Sequence, residues 1–207
     1  MLKRLLDIVL SLAALVVLAP VFLCVAVAIR MTSKGAALFR QERAGLRGRP
    51  FTLYKFRTMR MDVDPFGPSP HRGDDPRLTQ VGRFLREYSL DELPQLWNIL
   101  KGDMSLVGPR PLYVTQMAEW DQRQRRRLEV RPGLTGLAQV AGRGGLTREQ
   151  KLELDVQYVE TACLGLDLKI LAATIGLAFK RDAVYERRYS QAERTRHEAS
   201  RTTVGQS

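Results

Sequence analysis

From residue 8 to residue 29 the chain carries no charged side chain, and that run constrains everything built around it. About 20 apolar residues suffice for a helix to cross a hydrocarbon core of roughly 30 Å, so this segment must meet lipid. A cleaved signal peptide would use Lys3 and Arg4 as its charged start and Ala26-Val27-Ala28 as its cleavage site, but the run exceeds the usual length of roughly 7–15 residues. A single spanning helix has to accommodate Pro20, which removes a backbone hydrogen bond in mid-run and disfavours helical geometry at Ala19. A re-entrant hairpin broken at Ala19-Pro20 fits the flanking charge better. Lys3 and Arg4 precede the run, and Arg30, Lys34, Arg40 and Arg43 follow it, so the positive-inside tendency draws both ends to the cytoplasmic face. On these residues alone the spanning and re-entrant forms both stay open.

A length of 207 residues accommodates one compact unit beside that segment. Extended stretches over 37–43 and 51–57 flank a Gly- and Pro-containing connection, which reads as a small β-hairpin. The Pro-rich stretch over 62–75 reads as a mobile functional loop. Leu93, Leu96, Trp97 and Leu100 recur at helical spacing behind Ser89-Leu90-Asp91-Glu92, and Gly102 closes the pattern. One further helix is expected over 117–130, stopped by Pro132-Gly133. Apolar positions dominate 152–158 and 168–179, the latter being either core or a helix lying on a bilayer surface. The polar stretch over 185–207 reads as a disordered tail.

The formal net charge of +11 and a pI near 10.2 point to an anionic partner: nucleic acid, an acidic membrane surface or phosphorylated substrates. Cys24 and Cys163 stand far apart with no CxxC or His/Cys cluster, which excludes a disulfide framework and a zinc site and fits a reducing compartment.

Chemistry concentrates over 83–111, RFLREYSLDELPQLWNILKGDMSLVGPRP. Asp91 and Glu92 admit two readings. Helix starts attract acids because free N–H groups and the helix dipole stabilise negative charge, so Asp91 as an N-cap would need no catalysis. Alternatively, adjacent carboxylates divide labour between a nucleophile that forms an acyl phosphate and a ligand for Mg²⁺ shared with substrate phosphates. Such a site needs cationic donors, for which Lys55, Arg57, Arg86 and Arg110 are candidates. Pro109 and Pro111 fix the backbone on both sides of Arg110, as a rigid turn or as a presented arginine. Arg143, between Gly142 and Gly144, has the same double reading.

These residues resemble the bacterial sugar transferases known as monotopic phosphoglycosyl transferases. The matching strings are KRLLDIVLS, FRQERAGLRGRPFTLYKFRTM, LREYSLDELPQLWNILKGDMSLVGPRPL, RPGLTGLAQVAGR, LELDVQYVE and LDLKIL. The resemblance implies a mixed α/β, helix-rich fold: a re-entrant membrane helix over 1–34, a compact cytosolic catalytic domain over 35–184 with a small β-hairpin and interfacial amphipathic helices, and the tail over 185–207. It implies that Asp91 attacks the β-phosphorus of a UDP-sugar and releases UMP, that Glu92 binds Mg²⁺, and that polyprenyl (undecaprenyl) phosphate then takes the phosphosugar. Pro109, Arg110 and Pro111 match the family's nucleotide-recognition motif, and Lys55, Arg86 and Arg143 match positions near phosphates. Where the family breaks its membrane helix at Ser-Pro, this chain has Ala19-Pro20.

The implied location is the cytoplasmic face of a bacterial inner membrane, against anionic lipids. Nucleic acid is not an expected partner, because no docking motif accompanies the basic charge over 123–127. A membrane-tethered nucleic-acid binder and an inactive scaffold are the rival classes. The sugar is not legible, and the oligomeric state is open, a homodimer included.

Overall fold

The computed structural model describes residues 1–63, 70 and 74–178, with the backbone alone at Arg143 and Ala178. Most of the expected loop over 62–75 and all of the expected tail over 185–207 lie outside the described residues. The apolar run forms two helices, α1 (Leu2–Val17) and α2 (Ala19–Thr32), bent by 60° at Leu18. Among the described residues no single helix is long and apolar enough to cross a membrane. The bend falls at Leu18, beside the expected break at Ala19-Pro20. Pro20 falls in the first turn of α2, where its missing N–H is an orphan in any case. Leu18 N–H still reaches Ala14 O at 2.9 Å, and Phe22 N–H reaches Leu18 O at 2.9 Å, so the corner stays hydrogen-bonded.

Behind this pair, β1 (Leu38–Ala44) and β2 (Pro50–Phe56) form the expected hairpin, antiparallel with Leu38 opposite Phe56 and Ala44 opposite Pro50. Next come α3 (Gln80–Glu87), capped by Thr79 whose hydroxyl accepts from Gly82 N–H at 2.9 Å, and a 3₁₀ turn over Leu90–Glu92. Helix α4 (Gln95–Lys101) follows and ends on Gly102 at φ 93°, the left-handed stop its sequence predicts. Strand β3 (Ser105–Val107) pairs in parallel with β4 (Gly133–Thr135). There the backbones touch, since a Cβ on Gly133 would lie 2.1 Å from Gly108 N.

The single helix expected over 117–130 is instead a 3₁₀ turn (Val114–Glu119), the short α5 (Gln122–Arg125) and a second 3₁₀ turn (Arg126–Glu129). Trp120 interrupts it: the residue is extended (φ −84°, ψ 134°) and buries its ring against Ala44 and Leu152. Asp121 then restarts the helix as an N-cap reciprocated by Gln124. Local capping and one buried aromatic outweigh the helical run. The chain continues through α6 (Leu137–Ala141), a 3₁₀ turn (Arg143–Gly145), α7 (Arg148–Thr161) and α8 (Leu164–Ala178). Helix α8 buries Ile170 against Val107 and Tyr158 but leaves Leu168 and Ile175 exposed.

The α1–α2 pair packs on the core as well as presenting an apolar exterior. Leu15, Leu18 and Phe22 pack on Leu53, Leu96, Ile99 and Met104, while Val25 and Ala26 pack on Ile29, Phe56 and Leu85. Polar bonds fix its start. Asp7 is buried and accepts from Ser105 Oγ at 3.1 Å and Leu106 N–H at 2.9 Å, and Lys3 pairs with Asp167 at 2.7 Å. Arg4 donates to the Ile99 and Leu100 carbonyls, binding the last turn of α4. The opposite side exposes Leu5, Val9, Leu12, Val16, Val17, Leu23 and Val27. An apolar surface of that extent calls for a covering phase.

Candidate active site

The acid pair sits in the 3₁₀ turn between α3 and α4. Ser89 opens it in the left-handed region (φ 56°, ψ 20°), a conformation that strains a residue with a side chain by about 1 kcal/mol or more and that clusters at functional positions. Asp91 does not cap α4: no side-chain bond closes the start of the turn or of the helix. Its carboxylate is instead buried, 7% exposed, among charged neighbours.

Glu92 is clamped by two cations. Lys55 Nζ, delivered by β2, lies 2.8 Å from Glu92 Oε1, and Arg110 forks the carboxylate at 2.5 Å to Oε1 and 3.2 Å to Oε2. Burial alone would raise the Glu92 carboxyl, but the Arg110 and Lys55 charges and their hydrogen bonds outweigh it and hold it well below the usual carboxylate range. Asp91 moves the other way. Burial pushes it up to about 6, with the Glu92 charge adding to the rise and Lys55, Arg86 and Arg110 opposing it. Two adjacent carboxyls with separated proton affinities are the signature of divided chemical roles.

Lys55, Arg86 and Arg110 are thus brought together around the acids as the sequence pattern leads one to expect. Arg86 also donates to Thr58 Oγ1 at 3.0 Å, which steadies it on α3. Pro109 and Pro111 are buried on either side of the exposed Arg110. Arg57 is the exception among the cations: it is buried, with its guanidinium donating to the Ser33 and Lys34 carbonyls at the end of α2. It ties the hairpin to α2 and does not act on the acid pair. The backbone at Arg143 opens a 3₁₀ turn, and its side chain lies outside the described residues.

Sequence reading missed Arg43. It reaches the site from β1, stacks 3.7 Å over the Tyr113 ring, and exchanges charge effects with both Arg110 and Glu92. Its signal, alternation along β1 placing Gln41 and Arg43 on one face, is no different from that of any edge strand. The arginines over 123–127 are largely engaged with acids: Arg123 with Glu153 and Glu160, Arg126 with Glu129 and Glu160, and Arg127 with Asp155.

Among the described residues no cluster of three or more metal-ligating side chains occurs. Asp91 and Glu92 nevertheless offer hard carboxylate oxygens of the kind that hold Mg²⁺ when substrate phosphates complete its shell. Both Glu92 oxygens accept from Lys55 and Arg110, so a metal held there would displace part of that clamp.

Residues 1–181 match the family model described as bacterial sugar transferase. Among similar proteins, the uncharacterized sugar transferase EpsL of Bacillus subtilis is 44% identical over 193 residues, covering 93% of this chain and 95% of that protein. The UDP-glucose:undecaprenyl-phosphate glucose-1-phosphate transferase of Caulobacter vibrioides is 45% identical over 88% of this chain and 72% of its own. The Escherichia coli protein of the same name is 39% identical over 89% of this chain, which spans 42% of that longer relative. A buried Asp91 beside a half-buried Glu92 in a cradle of cations, on a chain whose residues 1–181 match the family and whose relatives are sugar-phosphate transferases, places it as an enzyme: the chain belongs to the bacterial sugar transferase family.

Proposed function

We propose that the protein transfers a sugar 1-phosphate from a UDP-hexose to polyprenyl (undecaprenyl) phosphate, releasing UMP and leaving a polyprenyl-diphosphate-sugar. The relatives' names supply the reaction class, and UDP-glucose is the donor to test first. The observation that carries the mechanism is the buried Asp91, held near the pH of its task beside a Glu92 that stays ionised. Asp91 attacks the β-phosphorus: its carboxylate oxygen bonds to phosphorus while the bridge to UMP breaks. The lipid phosphate oxygen then attacks the resulting acyl phosphate, and the Asp91 carboxylate is released. Arg110, Arg86 and Lys55 meet the diphosphate, with arginine suited to its paired oxygens. Glu92, with the substrate phosphates, would hold Mg²⁺, which when bound neutralises the charge that develops on the leaving nucleotide.

The bend supports a shallow placement in one leaflet. Helices of 16 and 14 residues are about 24 and 21 Å long. Set symmetrically about the membrane normal with a 60° bend, each arm descends only about 10–12 Å, less than one leaflet of a hydrocarbon core roughly 30 Å thick. A re-entrant wedge over 1–34, a catalytic domain over 35–184 and a tail over 185–207 on the cytoplasmic side of the inner membrane would put Asp91 at headgroup depth, where a lipid phosphate sits. The basic surface would favour anionic lipids.

The deciding experiment supplies UDP-glucose and Mg²⁺ without lipid acceptor and examines the peptide containing Asp91 by mass spectrometry. One hexose-phosphate adduct and one equivalent of UMP are expected. Absence of any adduct, together with kinetics that require both substrates bound at once, would replace the two-step reaction by direct transfer.

A further inference from the structure

Pro109-Arg110-Pro111 contains one backbone N–H, that of Arg110, because neither proline has one. Such a segment cannot secure itself through its own donors. Its carbonyls and the next are secured from outside: Pro109 O by Gly133 N–H at 2.9 Å, Arg110 O by Arg127 at 2.6 Å, Pro111 O by Arg43 at 3.5 Å, and Leu112 O by Ala44 N–H at 2.9 Å.

Of these donors Arg127 is the unusual one. It is 3% exposed, lies 4.8 Å over the Trp120 ring, and places Nε and Nη2 on Asp155 Oδ2 at 3.1 and 2.6 Å. Asp155, on α7, is 2% exposed, and its Oδ1 has no partner of hydrogen-bonding geometry; burial pushes its carboxyl up, opposed first by Arg127 and then by the nearby Arg110 backbone N–H. As a stability device this is a poor arrangement. Desolvating both charges offsets their attraction, and an unpartnered buried oxygen adds to the cost. What the arrangement does achieve is grip: Arg127 takes the Arg110 carbonyl while Asp155 faces the Arg110 N–H, and the guanidinium so held is the one that forks Glu92.

We propose that Arg127 and Asp155 are a positioning pair for Arg110, fixing its backbone so that its guanidinium is presented to the diphosphate of the nucleotide sugar. The proposal rests on the reading of Arg110 as a substrate-phosphate ligand given above. Neither residue of the pair touches substrate. Their effect passes through the Arg110 peptide, so it falls on the donor substrate and leaves the lipid acceptor alone.

The test uses the full chain in lipid nanodiscs, with UDP-glucose and undecaprenyl phosphate varied separately. The paired apolar substitution Arg127→Met with Asp155→Leu is expected to keep or raise Tm, since well-packed apolar groups commonly replace a buried ion pair without loss. It should raise KM for UDP-glucose about tenfold, leave KM for undecaprenyl phosphate unchanged, and add no further loss when combined with Arg110→Ala. Arg127→Lys keeps the charge but cannot fork Asp155 and reach the Arg110 carbonyl together, so it should show the same selective rise on a smaller scale; it decides the matter should the apolar pair not fold. A folded variant with unchanged KM for UDP-glucose, or losses that multiply with Arg110→Ala, overturns the positioning role. Arg110→Ala alone reports on the underlying reading: if it leaves KM for UDP-glucose unchanged, Arg110 is no phosphate ligand and the pair has nothing to position.

Discussion

At the scale of the residue, Asp91 carries a conflict between stability and chemistry. Its folded-state carboxyl lies near 6, above the ordinary value of 3.8, mainly because it is buried. A raised value means that the folded state binds the proton more tightly. The associated stability is therefore present in full below pH 3.8 and is lost as pH rises through 6. Asp91→Asn removes that loss, so the variant should melt above the wild type at pH 7.5 by an amount on the order of 1–3 kcal/mol. The difference should vanish near pH 3.5; an equal difference at both pH values would show that charge burial is not its source. Catalysis runs the opposite way. Turnover by the wild type should climb as pH passes about 6 and the carboxylate forms, whereas the amide should neither turn over nor form an adduct at any pH. Arg110→Ala removes one charge-assisted fork and should lower kcat/KM for the UDP-sugar by a factor that corresponds to about 2–3 kcal/mol. Steady-state kinetics at pH 7.5 checks it, and an unchanged value would make Pro109-Arg110-Pro111 only a rigid turn.

At the scale of the element, what was legible in the sequence was what local rules decide. The hairpin, the α4 helix with its Gly102 stop and the bend near Pro20 follow from alternation, helical spacing and proline geometry. The acids and three of the cations around them, Lys55, Arg86 and Arg110, lay in strings dense enough to be singled out. Long-range placement was not legible. Arg43 and Asp155 come to the site from β1 and α7, and no spacing links them to Arg110 along the chain. Arg57 is the converse: alternation would put it on the face of Lys55, two residues before it, but it lies past the end of β2 and its guanidinium turns to the end of α2. The helix over 117–130 was misread because Trp120 satisfies helical periodicity as well as it satisfies the core it enters. The same scale gives a test of the bend. Pro20→Ala restores an N–H, so the corner at Leu18 should open toward a continuous helix. Tags on both termini should report the cytoplasmic side in the wild type, with a fraction of Pro20→Ala molecules reporting the N-terminus outside. Periplasmic labelling of the wild-type N-terminus would make the segment a simple span.

At the scale of the whole molecule, positive charge gathers around the acid pair. Lys55, Arg86 and Arg110 act on Asp91, Arg43 lies within electrostatic reach of Glu92, and Lys55 and Arg110 hydrogen-bond Glu92 directly. On the proposed reading, a substrate diphosphate would meet these cations and share a metal with the carboxylates. Chelation by EDTA should therefore abolish UMP release and added Mg²⁺ should restore it, whereas full activity in excess chelator would remove the metal from the mechanism.

The 60° corner at Leu18 also has a consequence for lateral area. Set in a leaflet as proposed above, two arms of about 24 and 21 Å that descend only about 10–12 Å would spread roughly 40 Å along the membrane plane. On the re-entrant reading, one leaflet must make room for that body and the other need not. The protein would then act as an insertion that expands a single monolayer, and its binding would follow how loosely that monolayer's lipids are packed, in the manner of shallow amphipathic inserts. On that reading the enzyme would respond to the lateral tension of the leaflet in which the proposed lipid acceptor is dissolved.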